Sequence, residues 1–560
     1  MLLPATDAYE VAIFTGNLLY VRKAPGAVVV PSTAEEIISI VNFARDNDIH
    51  LSIKNGGHSY AAYCLNKDGI VLDMSQFKNV RINDAGTAVT IQAGCIWTDV
   101  YDSLKGRNLA NIIVGGQCPT VGVSGFTLGG GLSPFSRSYG LGSDNVIEMT
   151  VVTAAGELLI LNHDETDPEK RDLFWALRGG GGGNLGVLVE FKSRVHLLRD
   201  PYAHVVCGSL GWDLSDANAK AQFEAAMDVF NSREWPEELT IDAIWRYKGD
   251  KLFGEMTTLF NGNMKQCLAV VEPLLKFNPT VNTIKEMQWH DWVVIEQGYH
   301  DNSAIYHHHA SFIFGQGAIT PAVTKSIISL MEESFKFLDG QGKSHFLWDM
   351  AGGKTKDVAP EDTPYYWREG IYVANFKIQW NHPRRNREML AFVDKVKKTL
   401  MPHTLEGRAS YLNYIDPTVE DWQYAYYGKN YPRLQKIKTH WDPTNFFHFP
   451  QAIERVGLMK KKPTPVYSRV PDSSANMPVI GIINGPAIPI FKRVPESHGA
   501  EAEPKAPAND HGRPLTALNR IAALWDDYSL PDPEQLWQME EPNPDKVLMV
   551  IGGERIQADL

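Results

Sequence analysis

The sequence predicts an α+β protein of two packed domains with a C-terminal extension, and three observations carry that prediction. An amphipathic helix followed by short apolar strands, with glycine at the joins, opens the chain. Helical patterns alternate with longer strand-like runs from about residue 200 to 409. The chain has 560 residues, 44% hydrophobic and 21% charged, which is ordinary globular material long enough for two or three cores.

Each element follows from local pattern. Ser32-Thr33-Ala34-Glu35 reads as a capping box ahead of Ile37, Ile38, Val41 and Ala44 at helical spacing, predicting a helix over 33–47. Runs at 51–53, 70–72 and 89–91 are β-rich. Strands at 146–153 and 158–161 around the Ala155-Gly156 turn predict a β-hairpin. A short helix at 172–178 leads into the glycines at 179–183, and 187–191 reads as a buried strand. Over 201–409, helices at 219–231, 264–276, 320–338 and 386–399 and strands at 254–260, 345–350 and 371–380 predict a sheet covered by helices. The segment 410–456 holds a helix at 431–440, stopped by Trp441-Asp442-Pro443, and is expected to return to the first domain. Residues 457–512 are rich in Pro, Ala and Glu and read as a disordered linker, whereas 513–560 regain apolar and aromatic content as an extension.

Composition excludes several classes of function. With 54 Lys and Arg against 66 Asp and Glu, the net charge of −12 argues against a nucleic-acid partner, which needs basic patches to displace phosphate counterions. No apolar run approaches the roughly 20 residues of a membrane span. The cysteines Cys64, Cys95, Cys118, Cys207 and Cys267 are too few and scattered for a disulfide framework and lack zinc-ligand spacing.

Chemistry concentrates in two glycine-rich motifs, Lys54-Asn55-Gly56-Gly57-His58-Ser59-Tyr60 and Gly115-Gly116-Gln117-Cys118-Pro119-Thr120-Val121-Gly122. Glycine beside a nucleophilic side chain lets the backbone approach a flat ligand with no Cβ in the way. An imidazole or thiolate so placed can attack a flavin ring. Taken singly, His58 also reads as a hydrogen-bonded structural histidine and Cys118 as a buried apolar filler. Gly122, Gly125, Gly129, Gly130 and Gly131 supply backbone N–H groups that can form anion-binding nests. Neither this run nor 178–183 shows the strand, G-x-G-x-x-G turn and long helix of a Rossmann unit, and no Gly-Lys-Ser/Thr completes a P-loop.

These motifs resemble those of the berberine-bridge-enzyme-like FAD-linked oxidoreductases, in the vanillyl-alcohol-oxidase or PCMH-type superfamily. Residues 25–198 resemble the FAD-binding domain and 411–453 the C-terminal element. The resemblance implies a two-part PCMH-type FAD-binding domain at 24–200, a substrate domain at 201–409 and a berberine-bridge-like element at 410–456. It implies FAD bonded to His58 at the flavin 8α carbon and to Cys118 at C6. Asn55, Gly56, Gly57, Ser59, Gly122, Gly125, Gly129 and Gly130 would cradle it, and Asn184, Gly186 and Val187 would close over its adenosine part. Val121 stands where some relatives carry a larger leucine that blocks oxygen, which favours an oxidase over a dehydrogenase; its plainer reading is packing.

Tyr411-Leu412-Asn413-Tyr414 resembles the Tyr-x-Asn-Tyr motif that, in related sugar oxidases, supplies a tyrosine to take the proton of a substrate hydroxyl. Tyr414 is the expected base, with Tyr411 on the alternate side as second candidate and a tyrosine pair in a β-rich core as the plainer reading. A phenol of pKa about 10 does this only if neighbours stabilise phenolate. Arg368, Tyr372 and Trp380 resemble anchors of a family strand. They put Asn375 where many members carry a substrate-facing glutamine and leave Lys377-Ile378-Gln379 off that register. Asp349 lies near the position of an acidic partner for the tyrosine. His307-His308-His309 is expected to hold no metal, because adjacent residues on a strand point to opposite faces.

The resemblance thus implies a bicovalent FAD-dependent oxidase. It would pass a hydride from an alcohol, either a carbohydrate or a natural-product intermediate, to flavin N5, with O2 reoxidation to H2O2. An oxidative cyclase or dehydrogenase of secondary metabolism on the same fold is the alternative, and a non-catalytic flavin-binding protein a third reading. The expected partners are a small-molecule substrate and O2, with no nucleic acid or membrane, and the expected state is a monomer. Family members are often secreted and glycosylated. The start lacks a basic then apolar leader and no Asn-x-Ser/Thr sequon occurs, so a cytoplasmic location is expected.

Overall fold

The structure, a computed structural model, describes residues 1–297 and 304–457 together with short strands beyond them. The expected linker at 457–512 and extension at 513–560 otherwise lie outside the described residues. The exceptions are the strand pairs Ile480–Gly481 with Ile490–Phe491 and Lys546–Ile551 with Glu554–Asp559.

Three larger sheets position everything that follows. Strands β1 (Ala27–Val29), β2 (Leu51–Lys54) and β3 (Ile70–Asp73) form a parallel sheet of order β1-β3-β2. Helix Ala34–Asp46 contributes Ile37, Ile40, Val41, Phe43 and Ala44 to the same core. Its cap sits one residue later than the sequence pattern suggested. Thr33 has the extended N-cap backbone, its Oγ1 accepts the Glu36 N–H at 3.2 Å, and the Glu36 carboxylate accepts the N–H of Ser32 at 2.6 Å and of Thr33 at 3.3 Å.

A second, antiparallel sheet runs β4 (Val80–Ile82), β5 (Ala88–Gln92), β6 (Val146–Val152), β7 (Leu158–Asn162) and β8 (Val187–Arg194), in the order β4-β5-β8-β6-β7. The hairpin β6–β7 turns at Gly156, whose φ of 81° is a left-handed conformation suited to glycine. The following helix, Pro168–Leu177, starts earlier than the expected 172 because Asp167 caps it and proline fits its first turn.

The third sheet belongs to the middle of the chain. Strands β9 (His204–Asp213), β10 (Leu239–Lys248), β11 (Lys251–Phe260), β12 (Tyr306–Gly315), β13 (Gly342–Met350) and β14 (Gly370–Trp380) run in the order β9-β11-β10-β13-β14-β12. Val281–Asn282 and Lys285–Gln288 add to β9. Side chains alternate along each strand. Trp245, Phe346, Phe376 and Ile378 are buried in the core shared with helices Ala217–Ser232, Met264–Leu275, Pro321–Leu338 and Asn386–Leu400. Full burial of such a side chain contributes about 1.5–3 kcal/mol. The opposite face of the central strands is left for polar residues and for the cavity described below.

Beyond residue 410 the chain packs back on the first two sheets. Tyr426, Tyr427, Tyr431, Leu434, Ile437, Phe447 and Ile453 share the core of the N-terminal region. The buried Lys438 ammonium donates to the Asn184 and Phe447 carbonyls at 2.7 and 2.6 Å and to Asp442 at 2.6 Å.

Two buried guanidinium groups join the N-terminal region to the large sheet. Arg137 donates to the carbonyls of Leu239, Ala351 and Trp235 at 2.6, 2.6 and 2.8 Å. Arg368, 1% exposed, donates to both Asp144 oxygens at 2.7 and 2.8 Å and to Thr363 Oγ1 at 2.5 Å. Among the described residues no helix is long and apolar enough to cross a membrane.

Candidate active site

A cavity of about 890 Å³ lies where the glycine-rich loops of the N-terminal region face the polar side of the large sheet. Its size is within the usual range for small-molecule and cofactor sites. The two nucleophile-bearing loops meet backbone to backbone. A Cβ added to Gly56 would fall 2.6 Å from the Gly122 nitrogen, and one added to Gly122 would fall 2.7 Å from the Gly56 nitrogen, so only glycine fits at either position. Asn55 pins the crossing, its Nδ2 donating to the Ala93 carbonyl at 2.5 Å and to Ser124 Oγ at 3.0 Å. The crossing brings His58 and Cys118 to one residue: Thr120 Oγ1 lies 3.2 Å from His58 Nε2 and 3.4 Å from Cys118 Sγ.

Most of the residues expected around a cofactor line this cavity: Asn55, Gly56, Gly57, His58 and Ser59 from one loop, Cys118, Val121, Gly122 and Gly125 from the other, and Asn184 and Gly186 from a third. Gly129, Gly130 and Val187 do not line it. A Cβ on Gly129 would meet Asn413 Oδ1 at 1.9 Å, so that glycine makes room for the tyrosine-bearing turn. Val187 is a fully buried strand residue paired with Val152. Asn184 also ties the N-terminal region to the C-terminal segment, its Oδ1 accepting the Ile453 N–H at 2.8 Å.

Tyr411 precedes and Tyr414 ends a 3₁₀ turn, Leu412–Tyr414, rather than lying on a strand. In such a turn residues i and i+3 eclipse, so the two rings share a side, 5.3 Å apart and edge to face, instead of pointing apart. Tyr411 is a strut: its oxygen accepts the N–H groups of Gly131 and Leu132 at 3.1 and 3.0 Å and of Asn413 Nδ2 at 3.1 Å. Burial pushes its pKa up to about 12 against those hydrogen bonds. Tyr414 instead donates to Asp349 Oδ2 at 2.5 Å. Burial first, then the charge of Asp349 and neighbouring Tyr60, hold its pKa well above the usual phenol value. Asp349 and Asn375 both line the cavity, but Asn375 is engaged differently, its Oδ1 3.2 Å from His309 Nδ1.

Several cavity residues fell outside the sequence expectations. Tyr60 stacks on His309, with centroids 3.6 Å apart and planes 9° from parallel, and lies 5.9 Å from the Tyr414 ring. His309 Nε2 is 2.9 Å from His307 Nδ1, whereas His308 points the other way and lies 3.4 Å from Asp416. Burial and the Lys377 charge hold His307 well below the usual imidazole pKa. Burial, His307 and Lys377 do the same to His309. Lys377 and Gln379, read as off register, line the cavity with Asn375, as strand alternation requires.

Whether this site suits a dinucleotide flavin can be judged from its own atoms. The crossed glycine loops form one wall of the cavity, which extends along them to glycines at 181–183 and to Phe449. An imidazole and a thiol stand at one end, both competent to bond a flavin ring. The residues fit FAD.

Comparison with known proteins agrees with that fit. Residues 25–162 match the family model for an FAD binding domain, and 410–454 match the model for berberine and berberine-like proteins. An FAD-linked oxidoreductase of Bacillus subtilis, YgaK, is 28% identical over 448 residues, which is 78% of this chain and 92% of the relative. Xylooligosaccharide oxidase of Thermothelomyces thermophilus is 28% identical over 77% of this chain and 87% of its own length. Among solved structures, the BBE-like 1 protein of Physcomitrella patens superposes with a TM-score of 0.71 at 25% identity, covering 81% of this chain and 96% of the other. With family models matching residues 25–162 and 410–454, on both sides of the cavity, the findings support a berberine-bridge-enzyme-like FAD-linked oxidoreductase of the PCMH-type superfamily.

Proposed function

We propose that this oxidoreductase is an oxidase that holds FAD through both His58 and Cys118 and dehydrogenates an alcohol, either a carbohydrate or a natural-product intermediate. The observation that carries the reading is the convergence of two groups on one cavity: the His58–Thr120–Cys118 cluster and the Tyr414–Asp349 pair. The chemistry supplied by bound FAD is that of a two-electron acceptor, taking a hydride at N5 from the carbinol carbon and yielding hydrogen peroxide from O2.

The protein's part is binding, orientation and proton transfer. As the substrate C–H bond breaks, its hydroxyl proton passes to Tyr414 Oη, and the proton already on Tyr414 passes to Asp349 along the 2.5 Å hydrogen bond. The relay is needed because the neighbours oppose phenolate. Tyr411 and Asn413 fix the turn against the glycine loop, which holds Tyr414 to one geometry. Val121 beside Cys118 is a small side chain on the cavity wall, which supports access for O2. The relative named xylooligosaccharide oxidase favours the carbohydrate arm.

Stopped-flow spectroscopy tests this reading. Anaerobic mixing with alcohols of the two classes is expected to bleach the flavin for at least one. Subsequent mixing with aerated buffer is expected to restore the colour within seconds and release one peroxide per flavin. A flavin that stays reduced for minutes in air would replace the oxidase with a dehydrogenase.

A further inference from the structure

A hydroxyl stands between the two nucleophiles. Thr120 Oγ1 is within hydrogen-bond reach of His58 Nε2, at 3.2 Å, and of Cys118 Sγ, at 3.4 Å, and all three residues line the cavity. The backbone around Thr120 is fixed from both sides. The Thr98 N–H donates to the Pro119 carbonyl at 3.0 Å and the Trp97 N–H to the Val121 carbonyl at 3.2 Å, so the start of helix Trp97–Arg107 grips the residues before and after Thr120. Thr98 Oγ1 adds a second hydrogen bond to the Pro119 carbonyl at 3.2 Å. The Val121 N–H closes a turn on the Cys118 carbonyl at 3.2 Å, which holds the cysteine and the threonine in one local geometry. A β-branched side chain is stiff at χ1, so a fixed backbone also aims the hydroxyl.

A threonine hydroxyl both accepts and donates. Placed between a thiol and an imidazole, it takes the thiol's proton on its oxygen as it hands its own to the ring nitrogen. We propose that Thr120 is a catalytic residue of cofactor attachment, relaying the Cys118 thiol proton to His58 Nε2 so that Cys118 bonds the flavin as a thiolate. The inference rests on the bicovalent reading above. The thiolate, not the thiol, is the nucleophile, and an adjacent histidine is an effective base for generating it. The base survives attachment of His58 itself, because an imidazole bonded to carbon through Nδ1 keeps its Nε2 lone pair. Atoms and electrons balance with O2 as the oxidant. The S–H bond of Cys118 and the C–H bond at flavin C6 break, an S–C bond forms, and two electrons and two protons pass to O2, which becomes hydrogen peroxide. The thiol's proton makes the first part of that passage through Thr120.

The test reads linkage rather than turnover. Parent, Thr120→Val and Thr120→Ser are expressed and purified alike, denatured, treated with iodoacetamide and digested, and the peptides holding His58 and Cys118 are quantified by mass spectrometry. In the parent the two peptides are expected to be joined through the flavin as one cross-linked pair. Thr120→Val keeps the shape and loses the hydroxyl. It is expected to keep flavin on the His58 peptide and to release the Cys118 peptide as an alkylated free thiol. A rate loss of about 10²-fold, the lower end for a missing proton-transfer group, is expected to leave the cross-linked pair at least about ten-fold scarcer than in the parent. Thr120→Ser is expected to restore it. Equal cross-linking in Thr120→Val and the parent overturns the relay and leaves the bicovalent reading standing. A Thr120→Ser protein without the cross-link, or a Thr120→Val protein that loses the His58 link as well, also overturns the relay, because Thr120 then acts by its shape. A parent with Cys118 unlinked overturns the bicovalent reading and the relay with it. Should Thr120→Val hold no flavin, Thr120→Ala is measured in its place, and absence of flavin there too assigns Thr120 to cofactor binding and overturns the relay.

Discussion

Tyr414→Phe is expected to lower kcat/KM by about 10²- to 10⁴-fold, the usual contribution of a positioned acid–base group, with flavin content and spectrum unchanged. The hydroxyl of this cavity-lining residue makes a 2.5 Å hydrogen bond to Asp349, and its removal deletes the step in which the substrate proton is accepted. Asp349→Asn is expected to fall in the same range, and the double variant to be no worse than Tyr414→Phe alone, because the two act as a unit. The pH profile separates a relay from a phenolate base. A phenol whose pKa is raised well above its ordinary value of 10.0 does not ionise over the working range, so kcat/KM is expected to stay flat from neutrality towards pH 10. A rise of about ten-fold per pH unit in that interval would mean that Tyr414 reacts as phenolate and that the relay is wrong.

Arg368→Met is expected to destabilise the holoenzyme by about 3–5 kcal/mol in urea unfolding, because it leaves the Asp144 carboxylate buried without its partner. Both groups are nearly inaccessible, with side-chain exposures of 1% and 7%, and the pair is bidentate. Asp144 belongs to the loop after the glycine run, whereas Arg368 immediately precedes β14, which carries Asn375 and Lys377. Loss of the pair is thus expected to loosen one cavity wall against the other. Adding Asp144→Leu to Arg368→Met is expected to recover much of the loss, since the unpaired charge is then gone. A single variant as stable as the parent would show that the joint is carried by Arg137 and its carbonyl partners instead.

The parts of this site that were legible in the sequence are those fixed by local chemistry. Glycines around His58 and Cys118 announce close backbone approach to a flat ligand, whereas the approach observed at Gly56 and Gly122 is that of one loop's backbone to the other's. Helices with strong apolar periodicity, such as Pro321–Leu338 and Asn386–Leu400, fall where the pattern puts them. What escaped depends on backbone form or on pairing between distant segments. The motif from Tyr411 to Tyr414 reads as alternating only if it is a strand, and the 3₁₀ turn brings both rings to one side. Strand parity alone links Asn375, Lys377 and Gln379, a signal available in the sequence but outweighed there by counting between family anchors. His307 and His309 share a face for the same reason, while His308 turns towards Asp416. The cross-strand alignment of Arg246, His345, Lys377 and His309 could not have been read beforehand, because it exists only in the register of four strands whose order in the sheet differs from their order in the chain.

Acid precipitation reads the covalent hold on FAD directly. The purified holoenzyme is precipitated in acid, the pellet is inspected for flavin absorbance, and its peptides are mapped by mass spectrometry. A yellow pellet with flavin mass on both the His58 and the Cys118 peptides is the expected result, with flavin lost to the supernatant only when both residues are replaced. A colourless pellet with all the FAD in the supernatant of the unaltered protein would contradict the claim, and His58 and Cys118 would then be contacts of a cofactor held without bonds.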